Sequence, residues 1–442
     1  MKQVLLVIAN FIAFSCAMTL WQFIFPPRLY IYDLLSIAFI FLFFLYYCLR
    51  TQPWFLRREL KYFLFFQWAY LLVMIVSGIN LMFSATEPEA FTQYLKNVLS
   101  DTVYVVFFTC FILFLSIIKS QERKKILKFY IAGVICSCLY GLMHMALSTH
   151  YGINLDDYIW NHISYHTAYE FDATPTWKVM GITRGRGFPG VNAAATYVVT
   201  VLPFLFLGAS IGQALWARII NVMLVVIAVS GLFVTMSRTG VLSSAVALLT
   251  VFLLARKRLV NMVCTFSFVS VPIAFLGYLF WEYISEILKY RPTLDFSRLQ
   301  LFEGGLLLSY QNLLLGVGTN NYSIVRLSLP GELYQDANLH SSWLTILVEL
   351  GMIGLFLEIA FIVYIIYRTS LRKNKLSRAF TASIVGLSVG AFVNQVFDLY
   401  YFNFFVVLFF TLIVLGEGDP FPGEKRKRSV FSRLRQDFPC VC

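Results

Sequence analysis

HSSWLTILVELGMIGLFLEIAFIVYIIY, residues 340–367, decides the fold of this chain. From Ser342 onward it is a predominantly apolar run longer than the ~20 residues that cross a bilayer. It opens on a polar pair, His340-Ser341, and carries Gly351-Met352-Ile353-Gly354 in its interior. One titratable ring is thereby set at a membrane surface, with two glycines inside the helix that follows.

The rest of the chain agrees with that reading. Hydrophobic residues make up 59% of it and charged residues 13%, with a mean hydropathy of +0.74, too apolar for a water-soluble protein. About twelve apolar spans can be read, at residues 3–25, 29–49, 62–84, 101–118, 129–148, 191–209, 219–237, 240–255, 259–281, 342–367, 379–397 and 402–416. Nothing alternates as barrel strands would, and lipid-exposed backbone must satisfy its own hydrogen bonds. The expected fold is therefore all-α, a polytopic membrane protein forming one integral domain over residues 1–442.

Basic residues orient the bundle. Connections carrying Arg50, Arg57, Arg58 and Lys61, then Lys119 to Lys128, Arg218, Arg256 to Arg258, and Arg368 to Arg378 all fall on one side. With Lys2 and the tail, that side holds 25 of the 35 lysines and arginines, so both termini are expected in the cytoplasm. The net charge of +12 is then mostly topological and not a sign of nucleic-acid binding, although the tail 417–442, with Lys425-Arg426-Lys427-Arg428, can touch anionic membrane lipids. The first span lacks a small-residue cleavage site and is expected to be retained. Six cysteines lie in apolar spans and two, Cys440 and Cys442, end the tail, so no disulfide is expected. The terminal Cys-Val-Cys does not match the four-residue prenylation signal.

Two long segments face the other side, residues 149–190 and 282–341, the second joining spans nine and ten. Loops of such length in compact proteins are usually functional or disordered. The second carries apolar residues at helical spacing (Leu299, Phe302, Leu306, Leu307), then Leu313 to Leu315, ended by Gly316-Val317-Gly318. That pattern predicts amphipathic helices lying on the membrane as a lid. All five histidines (His144, His150, His162, His166, His340) and ten basic residues sit on or near this outer side, against the topological preference.

His340 stands at the start of the tenth span, with Asn338 or Ser341 available as N-cap. Partial positive charge at a helix N-terminus favours the neutral ring, which can take a proton from a hydroxyl as a general base. An interfacial histidine bonding only a loop carbonyl is the plainer alternative. Gly351 and Gly354 fall roughly 17–21 Å below it at helical rise, spaced to let another helix approach closely. Glu349, at membrane depth, reads as a hydrogen-bonded carboxyl or as a proton carrier.

The segment Thr183-Arg184-Gly185-Arg186-Gly187-Phe188-Pro189-Gly190-Val191-Asn192 enters the sixth span. Two arginines in a glycine-rich turn at a helix N-terminus form a cradle for an anion such as phosphate, or else a simple tight turn snorkelling to headgroups. Arg238, in Ser237-Arg238-Thr239-Gly240, is either an anion ligand or an interfacial anchor. His162 and His166 have the spacing to share a metal on a helix face, with Asp156 or Asp157 nearby. No cysteine or HExxH context supports a metal there, and none is expected. Outer tyrosines such as Tyr310, Tyr322 and Tyr334 can stack on sugars.

Taken in order, these pieces resemble the O-antigen ligase and O-antigen polymerase superfamily of bacterial envelope glycosyltransferases, closest to the ligases. The resemblance runs from about Arg184 to about Leu355 and rests on several short motifs: Arg184, Gly187 and Asn192; Ser237 to Gly240; Ser297-Arg298; Leu315-Gly316-Val317-Gly318 with Asn321; and His340-Ser341 followed by Gly351 and Gly354. It implies a transfer without metal or other cofactor, inverting at the anomeric carbon, on the periplasmic face of the bacterial inner membrane. The donor would be an undecaprenyl-pyrophosphate-linked glycan, and the acceptor a sugar hydroxyl on lipid A–core or on another lipid-linked glycan. His340 would act as base or acceptor-positioning group, and Arg238 with Arg184 or Arg186 would hold the pyrophosphate. Asn192, Arg298, Asn321 and Ser341 would contact substrate, and Gly316, Gly318, Gly351 and Gly354 would be structural. His-Ser looks more like the ligases, many relatives having His-Asn. The nearest alternative is a polymerase joining lipid-linked repeat units. A lipid-linked oligosaccharide flippase would show inverted repeats or charges spread through several spans, and a purely structural membrane partner would leave the outer arginines and histidines without a role.

Overall fold

The computed structural model of the chain describes residues 1–18, 31–49, 56–84, 88–151, 153, 178–179, 182–183, 191–210, 215–235, 237–255, 294–329, 339–372, 374–394, 396–397 and 400–416. The described elements are α1 (Lys2–Met18), α2 (Ile31–Cys48), α3 (Arg58–Ser84), α4 (Pro88–Ile117), α5 (Ser120–Tyr151), β1 (Lys178–Val179), β2 (Ile182–Thr183), α6 (Val191–Ser210), α7 (Leu215–Thr235), α8 (Arg238–Leu254), α9 (Leu294–Gln311), α10 (Tyr322–Val325), α11 (Ser342–Ser370), α12 (Lys375–Gly390) and α13 (Tyr400–Gly416). A short 3-10 turn, Arg326–Ser328, follows α10.

The described residues are helical as the sequence predicts, apart from one small antiparallel ribbon pairing Lys178 with Thr183 and Val179 with Ile182. Among the described residues, five stretches are long and apolar enough to cross a membrane: Arg58–Gly78, Tyr94–Ile117, Ser120–Ser148, Trp216–Thr235 and Ser342–Ser370. Shorter apolar helices cover Lys2–Cys16, Leu34–Cys48, Ala194–Ala209, Arg238–Leu254 and Phe402–Gly416. The span read at 259–281 lies outside the described residues, as do the tail 417–442 and most of the segments 149–190 and 282–293. The span read at 379–397 is shorter than expected: α12 stops at Gly390 and the chain turns over Ala391 to Asn394. Large apolar side chains such as Phe41, Phe65, Trp216 and Phe356 point outward, a surface that suits lipid and not water.

Aromatic packing joins the helices at the centre. Phe63 of α3 stacks on Phe410 of α13 with ring centroids 5.0 Å apart and meets Phe361 of α11 at 5.2 Å. Buried Tyr130 of α5 packs between Phe404, Phe405 and Phe409, and its hydroxyl bonds Thr200 Oγ1 of α6 at 3.0 Å. Small residues bring α8 and α12 close: a Cβ on Gly386 would fall 2.8 Å from Ala247 Cβ.

One end of the bundle gathers the arginines expected to share a side. Arg57 Nη1 and Arg372 Nη1 donate to the carbonyls of Val414 and Ile413, each at 2.6 Å, closing the C-terminus of α13. Arg368 bridges Glu59 at 2.8 Å. Helix α11 begins just after His340 and ends between Arg368 and Arg372.

Candidate functional site

The start of α11 is fixed by two serines. Ser341 is extended (φ −147°), and its Oγ accepts from the Leu344 N–H at 3.4 Å, so it is the N-cap that the sequence offered as an alternative to Asn338. Asn338 itself lies outside the described residues. Ser342 holds the turn after α12: its N–H donates to the Ala391 carbonyl at 2.9 Å, and its Oγ accepts from Val396 and Phe397 N–H groups at 2.6 and 3.1 Å. His340, immediately before this anchor and partly buried, has φ +51°. A non-glycine residue in that region costs on the order of 1–3 kcal/mol and persists only where its surroundings over-determine it. Here Leu339 and Ser341, both buried, pin the ring's backbone from either side.

Arg238 is the first residue of α8 and is exposed, with Ser237 Oγ capping the helix through the Gly240 N–H at 3.3 Å. The following residue links it to His340. Thr239 Cγ2 lies 3.6 Å from where a Cβ on Gly390 would stand, and Ala391, the next residue, accepts the Ser342 N–H. Arg238 and His340 therefore flank the C-terminal end of α12. The start of α6 is there too, since a Cβ on Gly240 would meet Ala195 Cβ at 2.4 Å, and Asn192 lies one turn before Ala195. Three helices, α6, α8 and α11, thus begin at one end of the bundle. Their N-termini bring positive dipole ends to that end of the bundle, a setting for an anion.

Glycine turns secure this end from below. Gly351 is not helical (φ +66°, ψ −168°), which corrects the expectation that both glycines sit inside a continuous helix. A regular helix would pair Met352 and Ile353 N–H with the Val348 and Glu349 carbonyls. Those carbonyls instead accept from Val317 and Gly318 N–H at 2.9 Å each, and Met352 and Ile353 donate to the Leu313 and Leu314 carbonyls at 2.8 and 3.4 Å. All four backbone groups freed by the break find partners in the turn 313–318, as buried backbone must. Gly351 thus admits a turn and not a neighbouring helix. Gly354 is tight against its own Leu350, whose Cβ would lie 2.3 Å from an added Cβ.

Gly316 (φ +69°) and Gly318 (φ +90°) form the other half of the interlock. Asn321 is fully buried there: its Nδ2 donates to the Val317 carbonyl at 3.3 Å, and its own carbonyl accepts from Ile324 and Val325 N–H at 3.0 Å each. Those bonds hold the turn. Glu349 Oε1 accepts from the Tyr322 N–H at 3.4 Å, tying α10 to the same stretch.

Arg184 and Arg186 lie outside the described residues, between β2, which rests on α5, and the start of α6. Asn192 and Arg298 have described backbone in α6 and α9, and their side chains lie outside. His162, His166, Asp156 and Asp157 also lie outside, and among the described residues no three His, Cys, Asp or Glu side chains converge as for a metal ion. Ser342 was not singled out in the sequence, although a serine doublet ahead of an apolar run is a capping signal that could have found it.

No curated protein sequence matches the chain. Residues 223–359 match the family model described as O-antigen ligase, so the stretch carrying Arg238, Arg298, the 316–318 turn, Asn321, His340 and Gly351 is similar to that family, in agreement with the resemblance read from the sequence.

Proposed function

We propose that this helical membrane protein is a ligase-type glycosyltransferase that moves a glycan from undecaprenyl pyrophosphate to a sugar hydroxyl of lipid A–core. The observation that carries the reading is that Arg238 and a strained His340 stand at helix starts flanking the same end of α12, within the stretch similar to the ligase family. Transfer requires cations beside the departing diphosphate and a base beside the attacking hydroxyl. The acceptor oxygen forms its bond to the anomeric carbon as that carbon's bond to the diphosphate oxygen breaks. The hydroxyl proton passes to the His340 ring, and the electron pair leaves with the diphosphate. Arg238, the helix N-termini and Arg184 or Arg186 neutralise that leaving group. Arg298 and Asn192, placed on α9 and α6, contact substrate, whereas Asn321 and Ser341 act through the backbone they hold.

In this reading both termini are cytoplasmic, about twelve helices span the inner membrane, and the site faces the periplasm. The test is reconstitution of purified protein with undecaprenyl-pyrophosphate glycan and lipid A–core. Product on lipid A–core supports the ligase. Extension of one lipid-linked glycan by another, without product on lipid A–core, would make the chain a polymerase.

A further inference from the structure

A cavity of about 340 Å3 lies within the bundle, between α3, α4, the 319–323 turn, α11 and α13, and it has no place in the transfer described above. Its described wall carries three carboxyl groups, Asp101, Glu349 and Glu358, and no lysine, arginine or histidine. Glu349 and Glu358 are buried, and carboxyls kept inside a membrane bundle are costly unless they serve a ligand or a network. Asn97, also on the wall, has a buried Nδ2 with no hydrogen-bond partner. A buried donor left unpaired costs about 1–3 kcal/mol, so this position suits an acceptor atom brought by a ligand.

These features narrow the occupant. A phosphate or diphosphate would meet three carboxyls and no cation, so the donor's anionic part does not belong here. A sodium ion or an alkylammonium satisfies carboxylates but offers Asn97 nothing to accept its proton. A sugar hydroxyl donates to a carboxylate and accepts from an amide through one oxygen, and an acetamido group donates through its N–H and accepts through its carbonyl. The wall also includes aromatic residues, among them Tyr104 and Phe108, a composition that suits the apolar face of a pyranose ring. The volume is at the lower end of the range of about 300–1,000 Å3 typical of small-molecule sites. Asn320, exposed and in the left-handed region at φ +57°, is part of the same wall, so the cavity reaches a residue at the surface.

We infer that this cavity binds a neutral saccharide unit, a hexose or N-acetylhexosamine, through Asn97, Asp101, Glu349 and Glu358. It also borders the start of α11. Thr345 and Glu349 line it roughly one and two turns past Ser342, and Phe397, which lines it as well, donates its N–H to Ser342 Oγ. Saccharide in the cavity therefore sits against the scaffold that holds His340.

Saturation-transfer NMR on the purified full chain in detergent tests this, with glucose, galactose and N-acetylglucosamine as separate probes and sodium chloride against choline chloride as background salts. The expected result is saturable binding of at least one neutral sugar, independent of the salt. Glu358→Gln and Asn97→Leu should each weaken it about tenfold or more, the loss expected when a hydrogen bond to a charged or buried group is removed. Glu358→Gln keeps side-chain shape and serves if the leucine variant does not fold. Absence of saturable binding to all three sugars, binding unchanged in a folded variant, or thermal stabilisation by sodium that displaces the sugar would overturn the inference.

Discussion

Gly316 and Gly351 each stand where a side chain would collide with the backbone beside the other. A Cβ on Gly316 would fall 2.4 Å from the Glu349 carbonyl oxygen, and one on Gly351 would fall 2.2 Å from that of Leu314. Two motifs separated by more than thirty residues are thus one structure, in which the turn 313–318 replaces four backbone partners of α11. The part of α11 that follows His340 and its cap Ser341 is braced by it.

Gly351→Ala should be among the most damaging alanine substitutions in the chain. Its φ and ψ lie in a region open essentially only to glycine, costing on the order of 1–3 kcal/mol before the clash with Leu314 is counted. Gly316→Ala should behave alike, whereas Gly416→Ala, with nothing within 4 Å, should be mild. Thermal melting in detergent checks the order, and a Gly351→Ala protein as stable as Gly416→Ala would contradict it.

Ser342→Ala should destabilise the start of α11 by leaving the buried Val396 and Phe397 N–H groups without their acceptor. Each such loss costs about 1–3 kcal/mol. Melting temperature and transfer rate should fall together, while Ser342→Thr should recover part of both because its hydroxyl can accept the same bonds. Equal loss in both variants would show that the hydroxyl is not what matters.

Arg238→Lys should impair transfer nearly as much as Arg238→Ala, since an ammonium cannot reproduce a guanidinium fork on a diphosphate. A loss of roughly tenfold to hundredfold in kcat/KM is expected for a charge-assisted hydrogen bond. Full activity in the lysine variant would return Arg238 to the role of interfacial anchor, and the same comparison at Arg184 and Arg186 picks out which of them holds the donor.

Much of this was legible because membrane helices announce themselves through length and apolarity, and because His340, Arg238 and Ser341 stand at helix starts. The break at Gly351 was not legible: a glycine two residues past a glutamate in an apolar run fits a continuous helix equally well, and only the distant turn 313–318 supplies the partners that stabilise a break. The same holds for the cavity, whose Asn97, Asp101 and Glu358 come from α4 and α11 with no shared motif. The close passage of Thr239 by Gly390, which sets Arg238 and His340 at the same end of α12, likewise depends on small residues in helices far apart in sequence.

Transfer should persist in excess chelator, because guanidinium groups and helix N-termini can neutralise a departing diphosphate. Reconstituted activity with and without EDTA measures this. Loss that added magnesium or manganese restores would contradict the arginine account and bring His162, His166, Asp156 and Asp157 forward as ligands.

The central claim is that His340 takes the acceptor's proton. Purified His340→Ala, given undecaprenyl-pyrophosphate glycan and lipid A–core, should turn over about 10²–10⁴ times more slowly than the native chain while binding donor with unchanged affinity. Turnover near the native rate in a folded His340→Ala protein would contradict it.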